Sequence, residues 1–225
     1  MNEGTSRMQQ RQAFDIALKE LKLKLLHMGG DVQESIRHAV AAVLKHDEAL
    51  AQRVIERDRE VNRQDHEIED LCIRLIATQQ PVAGDLRRIV AGMRLAVDLE
   101  RMGDLAVDLA KTALRLAAPP MPEAARRLQE MAEAVDSMVS EALNAYVNSD
   151  ADAARRLAEM DDAVDRDYRL LVEELFADGP DASGSPQQRM LIAFCGRYLE
   201  RIGDHVTNIG ESVLYILTGE RSDLN

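Results

Sequence analysis

The chain has 225 residues, of which 46% are hydrophobic and only 3% aromatic, and its formal net charge is −12. This acidity argues against a nucleic-acid-binding protein, which needs a basic patch or stripe. No stretch approaches the roughly 18 uninterrupted apolar residues of a membrane-spanning helix, and the polar first residues, as far as Gln12, lack the apolar centre of a secretory leader. The sequence therefore predicts a soluble, cytoplasmic protein without direct membrane insertion.

Helical periodicity is clear from Leu18 onward. Apolar residues between Leu18 and Val43 recur every three or four positions, which predicts a long amphipathic first helix ending near His46. Asp47 is a residue type that caps helix N-termini, so it predicts the start of a second helix, which Pro81 ends.

The third helix is predicted to begin near Asp85 and to continue through Leu116 until the prolines at 119–120 interrupt it. The helical pattern then restarts. A fourth helix is expected with Pro122 in its first turn, where a missing backbone amide is tolerated. A turn at 149–150 separates it from a fifth helix.

A loop is predicted at 179–184, where Gly, Pro, Asp and Ser cluster. Directly after it, Ser185, Pro186 and Gln188 form a capping box that opens a sixth helix. Helices joined by short connections favour antiparallel neighbours, which is the arrangement of a helical bundle.

The two halves of the chain repeat each other. Three apolar residues of the first helix meet identical residue types in the fourth when shifted by 103 positions: Leu25 with Leu128, Met28 with Met131 and Val32 with Val135. In the last helix the shift becomes 100. The sequence therefore predicts an all-α fold of two tandem antiparallel three-helix bundles, residues 8–118 and 122–218, related by an internal repeat.

One short segment returns almost unchanged: residues 99–104 read LERMGD and residues 199–204 read LERIGD. Glu100 and Asp104 are four residues apart, and like charges at this spacing destabilise a helix by about 0.2–0.5 kcal/mol. The glycine costs a further ~1 kcal/mol relative to alanine. A locally unfavourable choice that occurs twice needs compensation from outside the helix, and a bound cation is the simplest form of it.

Candidate metal ligands on four helices carry oxygen donors. They are Glu100, Asp104 and Asp108 on the third helix, Glu200, Asp204 and Asn208 on the sixth, Asp58 and Asn62 on the second, and Asp161 and Asp165 on the fifth. Antiparallel packing is expected to bring the second helix beside the acids of the third, and the fifth beside those of the sixth. The acids of the third and sixth helices lie opposite the apolar positions, which predicts surface sites, and His205 is predicted to be an ordinary surface histidine.

Oxygen donors favour hard cations, and carboxylates shared between ions permit more than one ion per site. The pattern leaves the divalent or trivalent ion open among iron, manganese, magnesium and zinc.

The paired motifs, the segment 81–87 entering the third helix and the twofold three-helix repeat resemble the PhoU family, over roughly Phe14 to Gly219. The resemblance implies a cytoplasmic metal-binding regulator of phosphate uptake and a negative regulator of the phosphate-starvation response. It also implies an adaptor between the ATPase subunit of the phosphate ABC transporter and its sensor histidine kinase, a homodimer, and surface multinuclear metal clusters on the repeated motifs.

Two other classes are compared with this one. A carboxylate-bridged iron-handling protein or oxidase would use inward-facing Glu-x-x-His motifs, and the sequence contains none. A metal-dependent phosphoester hydrolase would need a concave site with a positioned base, for which the sequence offers no motif. We therefore expect a protein that is not an enzyme and has no catalytic residues.

Overall fold

A computed structural model of the protein describes residues 3–177, 184–221 and 223–224. Six helices form this part of the chain: α1 (Glu3–Lys45), α2 (Glu48–Gln79), α3 (Ala83–Ala113), α4 (Pro122–Asn148), α5 (Ala151–Phe176) and α6 (Pro186–Thr218). The predicted all-α fold with a repeated three-helix unit is confirmed. Apart from Gly184, the predicted loop at 179–184 lies outside the described residues. None of the described helices combines the length and the apolar character needed to cross a bilayer.

Side-chain caps set the helix starts that were predicted from residue type. Asp47, Asp150 and Ser185 each accept hydrogen bonds from backbone amides two or three residues later, at 2.9–3.1 Å. Each cap satisfies amides that have no partner within the helix. The 103-residue shift also matches Asp47 with Asp150, and the two residues therefore cap equivalent helices of the two repeats.

The third helix is shorter than its apolar pattern predicts. The Arg115 amide bonds to the carbonyl of Thr112 at 3.0 Å, so the last turn tightens to three-residue spacing before the prolines at 119–120. The prediction of a helix through Leu116 is therefore wrong by about one turn. Leu116 is nevertheless buried, which explains why its spacing looked helical.

The two bundles share one hydrophobic core. α3 and α6 lie side by side, α1 contacts α4, and α2 and α5 pack on the outer sides of their own bundles. A single cluster of buried residues includes side chains from all six helices. The six residues matched by the 103-residue shift all belong to it, and each is at most 1% exposed. The repeat is therefore one packed body instead of two tethered domains.

Adjacent glycines in α1 offer a test of the contact between the bundles. A Cβ atom at Gly29 would lie 2.7 Å from Leu143 of α4, whereas one at Gly30 would meet nothing within 4 Å. We expect Gly29→Val to lower the free energy of unfolding by about 1–3 kcal/mol relative to Gly30→Val, because only the first overpacks the seam. Urea unfolding followed by circular dichroism measures the difference, and equal stability of the two variants would contradict this packing.

Candidate metal centre

The first cluster of predicted ligands lies between α2 and α3 and consists of Asp58, Asn62, Glu100 and Asp104. The Asn62 side-chain amide donates to Asp58 Oδ2 at 2.8 Å. The Arg101 guanidinium lies 3.3 Å from an Asp104 oxygen and 3.5 Å from a Glu100 oxygen. Each acid of this cluster therefore has a polar or positively charged neighbour.

The second cluster lies between α5 and α6 and consists of Asp161, Asp165, Glu200 and Asp204. Within the described part of the chain, three of its oxygens are buried and have no hydrogen-bond partner: Asp161 Oδ1, Asp165 Oδ1 and Glu200 Oε2. The other Glu200 oxygen pairs with Arg197. Asp161 is only 8% exposed because its helix, α5, packs against α6 at this point, so the prediction of a wholly surface site is wrong here.

The glycine of each repeated motif lies against an aspartate of the neighbouring helix. A Cβ at Gly203 would lie 2.5 Å from Asp161 Oδ1, closer than real contacts allow. A Cβ at Gly103 would lie 3.7 Å from Asp58 Oδ1 and 3.2 Å from the side chain of Val61. This close approach explains why glycine occupies position 203, although glycine weakens a helix.

Burial and mutual repulsion raise the pKa values of three carboxylates of the second cluster. Burial, followed by the charge of Asp204, raises the pKa of Asp161 to about 7. Burial and Asp204 also raise the pKa of Glu200 to about 6, and burial raises the pKa of Asp204 itself. Desolvation disfavours the charged form, and nearby carboxylates add to that effect.

In the first cluster, burial and then Asp104 raise the pKa values of Asp58 and Glu100. The Asn62 hydrogen bond opposes the change at Asp58, and the Arg101 charge opposes it at Glu100. The two clusters are therefore equivalent in position but different in electrostatics.

The donor atoms of the second cluster fit a hard cation. They are all oxygens, and an unpartnered buried oxygen is costly unless a proton or a cation satisfies it. Among the described residues, however, no three His, Cys, Asp or Glu side chains are already arranged to hold a metal ion. Binding would therefore require carboxylate side chains to rotate toward a shared ion.

Two of the predicted ligands, Asp108 and Asn208, lie outside the two clusters, where α3 packs against α6. Asp108 pairs with Lys111 at 3.5 Å, and burial together with the Asp108 charge raises the pKa of Tyr198 on α6. Asn208 donates to Asp98 Oδ1 of α3 at 3.1 Å. Each step of four residues turns about 40° farther around a helix, so these positions lie at the α3–α6 contact instead of in the outer grooves.

The α3–α6 contact also contains polar residues that sequence reasoning missed. His205 Nδ1 lies 3.0 Å from Asp98 Oδ1, in a mostly buried position. The interpretation of His205 as an ordinary surface histidine is therefore wrong. Asp98 immediately precedes the repeated segment 99–104, but nothing local marks it, because its partners come from the other half of the chain.

Comparison with known proteins agrees with the repeated architecture. The family model described as "PhoU domain" matches residues 25–113 and 128–213, once in each bundle. The chain belongs to the PhoU family. Each of the two matched segments contains one copy of the repeated motif and one of the carboxylate clusters.

Relatives match almost from end to end. The phosphate-specific transport system accessory protein PhoU homolog of Clostridium acetobutylicum is 38% identical over 216 residues, which is 96% of this chain and 99% of that protein. The homolog from Pseudomonas putida is 36% identical over 92% of this chain and 82% of its own. The phosphate-specific transport system accessory protein PhoU of Escherichia coli K12 is 32% identical over 92% of this chain and 86% of its own.

Crystal structures of PhoU proteins have the same fold. The phosphate transport system regulatory protein PhoU from Streptococcus pneumoniae superposes with a TM-score of 0.86 at 32% identity, covering 93% of this chain and 99% of that one. PhoU from Pseudomonas aeruginosa gives a TM-score of 0.83 at 37% identity, covering 92% of this chain and 100% of that one.

Proposed function

We propose that this chain is an accessory regulator of phosphate uptake that binds metal ions and represses the phosphate-starvation response. The observation that carries the proposal is the PhoU-domain match in both bundles, with relatives named as accessory proteins of phosphate-specific transport. In this proposal the protein acts in the cytoplasm as a homodimer. It links the ATPase subunit of the phosphate ABC transporter to a sensor histidine kinase, by binding and not by catalysis.

The metal part of the proposal rests on the unpartnered buried oxygens of the second cluster. Asp161, Asp165, Glu200 and Asp204 would hold an ion there, and the first cluster would hold another with Asp58, Asn62, Glu100 and Asp104. A bound cation supplies positive charge that offsets the repulsion between these acids. Iron, manganese, magnesium and zinc are the candidates, and Asp108 and Asn208 are not proposed as ligands on the observed contacts.

Neutralisation by metal offers a way to control docking. The chain has a net charge of −12, and like charges on two approaching surfaces oppose association. A cation in each cluster reduces this repulsion on the faces formed by α2–α3 and α5–α6. We therefore propose that occupied clusters favour contact with the transporter ATPase.

Metal binding is tested by elemental analysis of protein purified without chelator and of protein dialysed against manganese. We expect metal in the unchanged protein and its loss in the double variant Asp104→Ala with Asp204→Ala, because the double variant removes one carboxylate from each cluster. The matched control is Asp70→Ala with Asp152→Ala, two exposed acids outside the clusters. Equal metal content in the cluster variant and the control would contradict the proposal.

The adaptor role is tested by pull-down of the cognate transporter ATPase subunit with and without chelator. We expect capture in the presence of metal and at least a tenfold loss when metal is removed, together with no turnover on a panel of phosphoesters. If the chain captures the ATPase equally well with and without chelator, metal does not regulate the contact. Failure to capture the ATPase under either condition would reject the adaptor role itself.

A further inference from the structure

A basic cleft opens where the ends of the two bundles meet. Its volume is about 410 Å³, and it is lined by Lys19 and Lys22 of α1, Arg88 of α3, and Tyr146 and Ser149 at the end of α4. We call it the Lys19 cleft. Its volume falls in the range of roughly 300–1,000 Å³ that is usual for sites of small organic ligands.

The acids near the Lys19 cleft are already paired. Asp15 is the one carboxylate among its lining residues, and Arg11 lies 3.2 Å from an Asp15 oxygen. Arg88 lies 3.3 Å from Asp85, but Arg11 also binds Asp85, at 2.7 Å. Together with Arg11, the three cations of the cleft outnumber Asp15 and Asp85 by four to two, which leaves an excess of positive charge. This excess is notable in a chain whose net charge is −12.

The cationic side retains donors for a ligand. The Lys22 ammonium donates to the Val147 carbonyl at the end of α4, and an ammonium has three donors. Lys19 lines the cleft one turn earlier on the same helix, and Arg88 contributes a planar guanidinium. A guanidinium with two ammonium groups is a donor set suited to phosphate oxygens.

The rest of the lining adds a neutral donor and an apolar surface. Tyr146 lines the cleft, and burial raises the pKa of its hydroxyl to about 12, so that it stays protonated at neutral pH. Leu18, Leu21 and Ile216 provide apolar contacts. A lining that combines cations with apolar side chains fits an anion that carries an organic portion.

The internal repeat shows that these cations are not needed to build the bundle. The repeat counterparts of Lys19, Lys22 and Arg88 carry no positive charge: they are Pro122, Ala125 and Gln188. Gln188 instead donates to the Pro119 carbonyl, in the connection between the bundles, at 2.8 Å. The same packing is therefore achieved at the equivalent place without the three cations.

We propose that the Lys19 cleft binds a phosphate monoester of about mononucleotide size, with the phosphate held by Lys19, Lys22 and Arg88 and the organic portion against Tyr146 and the leucines. Such a ligand would contact both bundles. The inference is independent of metal, because the cleft lies apart from both carboxylate clusters. A failed metal assay would leave it unchanged.

The experiment titrates the full chain with AMP, inorganic phosphate and adenosine, in chelator and at low salt, and measures binding by calorimetry and by ¹H–¹⁵N spectra. Chelator prevents phosphate from binding through a metal in the clusters. Lys19→Gln is the primary variant, because its substitution removes none of the hydrogen bonds named above. Lys24→Gln is its control on the same helix, since Lys24 pairs with Glu67 outside the cleft.

We expect AMP to bind with its spectral changes around the cleft, and Lys19→Gln to weaken it at least tenfold while Lys24→Gln has no effect. Inorganic phosphate is expected to bind at least tenfold more weakly than AMP, and adenosine not at all. Phosphate that binds as tightly as AMP would assign the cleft to the free ion and overturn the role of the organic portion. Equal effects of the two lysine variants, or no binding of AMP and phosphate at millimolar concentration, would overturn the site.

Discussion

Metal-free protein carrying Asp161→Asn is expected to be more stable than the unchanged protein at pH 8, by about 2–3 kcal/mol. Burial and Asp204 raise the pKa of Asp161 to about 7, whereas an aspartate in the unfolded chain titrates at about 4. Ionising Asp161 in the folded protein therefore costs free energy. Asparagine has the same shape and cannot ionise, so the variant avoids that cost.

The same reasoning fixes the direction of the pH dependence. Between about pH 4 and pH 7 the folded protein binds more protons than the unfolded chain, so its free energy of unfolding falls as pH rises. Glu200, whose pKa is raised to about 6, adds to the effect over a narrower range. Acids with lowered pKa values, such as Glu174 and Asp150, have the opposite dependence, and their contributions are lost only below about pH 4.5.

Urea unfolding in chelator at pH 5 and pH 8 measures these effects. The control is Asp58→Asn, the repeat equivalent, which we expect to gain less stability because Asp58 accepts a hydrogen bond from Asn62. The unchanged protein should be less stable at pH 8 than at pH 5, and Asp161→Asn should reduce that difference. If the free energy of unfolding rises from pH 5 to pH 8, or if both variants gain equal stability, then ionisation of the second cluster does not destabilise the folded protein.

Manganese is expected to bind the second cluster at least tenfold more tightly than the first. The second cluster has four carboxylates and three buried oxygens without a partner, whereas the first has an amide in place of one carboxylate. A ligand that binds only the folded state stabilises it, by about 4 kcal/mol at a thousand times its dissociation constant. The protein should therefore show two classes of site and a large rise in thermal stability with metal.

Matched double variants separate the two sites. Asp161→Asn with Glu200→Gln should remove the tighter class, and the equivalent pair Asp58→Asn with Glu100→Gln should remove the weaker one. Calorimetric titration with manganese at pH 7.5 reads both affinities in one experiment. If the first pair leaves the tighter class intact, the unpartnered oxygens do not mark the stronger site.

Much of this fold could be predicted because its determinants are local. Asp47 and Ser185 mark helix starts through their own side chains, and the repeated apolar spacing identifies the core positions of both bundles. The association of Asp58 with Asp104 also followed from the sequence. Consecutive helices joined by a short connection pack side by side, and Asp58 on α2 and Asp104 on α3 lie on the faces that then contact each other.

Features that depend on contact between the halves could not be predicted. The pairing of His205 and Asn208 with Asp98 requires the register of α3 against α6, for which a single sequence has no signal. The burial of Asp161 depends on packing within the second bundle, on how deeply α5 sits against α6, and this too has no signal in a single sequence. The sequence therefore indicated carboxylate clusters and, through Asn62 in the place of Asp165, a difference in charge between them, but not which of their oxygens are buried without a partner.

The shared core limits how this molecule can move. A protein whose domains are joined by a bare linker can close like a hinge, but here buried side chains from all six helices form one cluster across the proline connection at 119–120. Opening it would expose apolar surface from both halves at once. Motion between the two outer grooves is therefore expected to occur by small sliding shifts of packed helices and not by hinge closure.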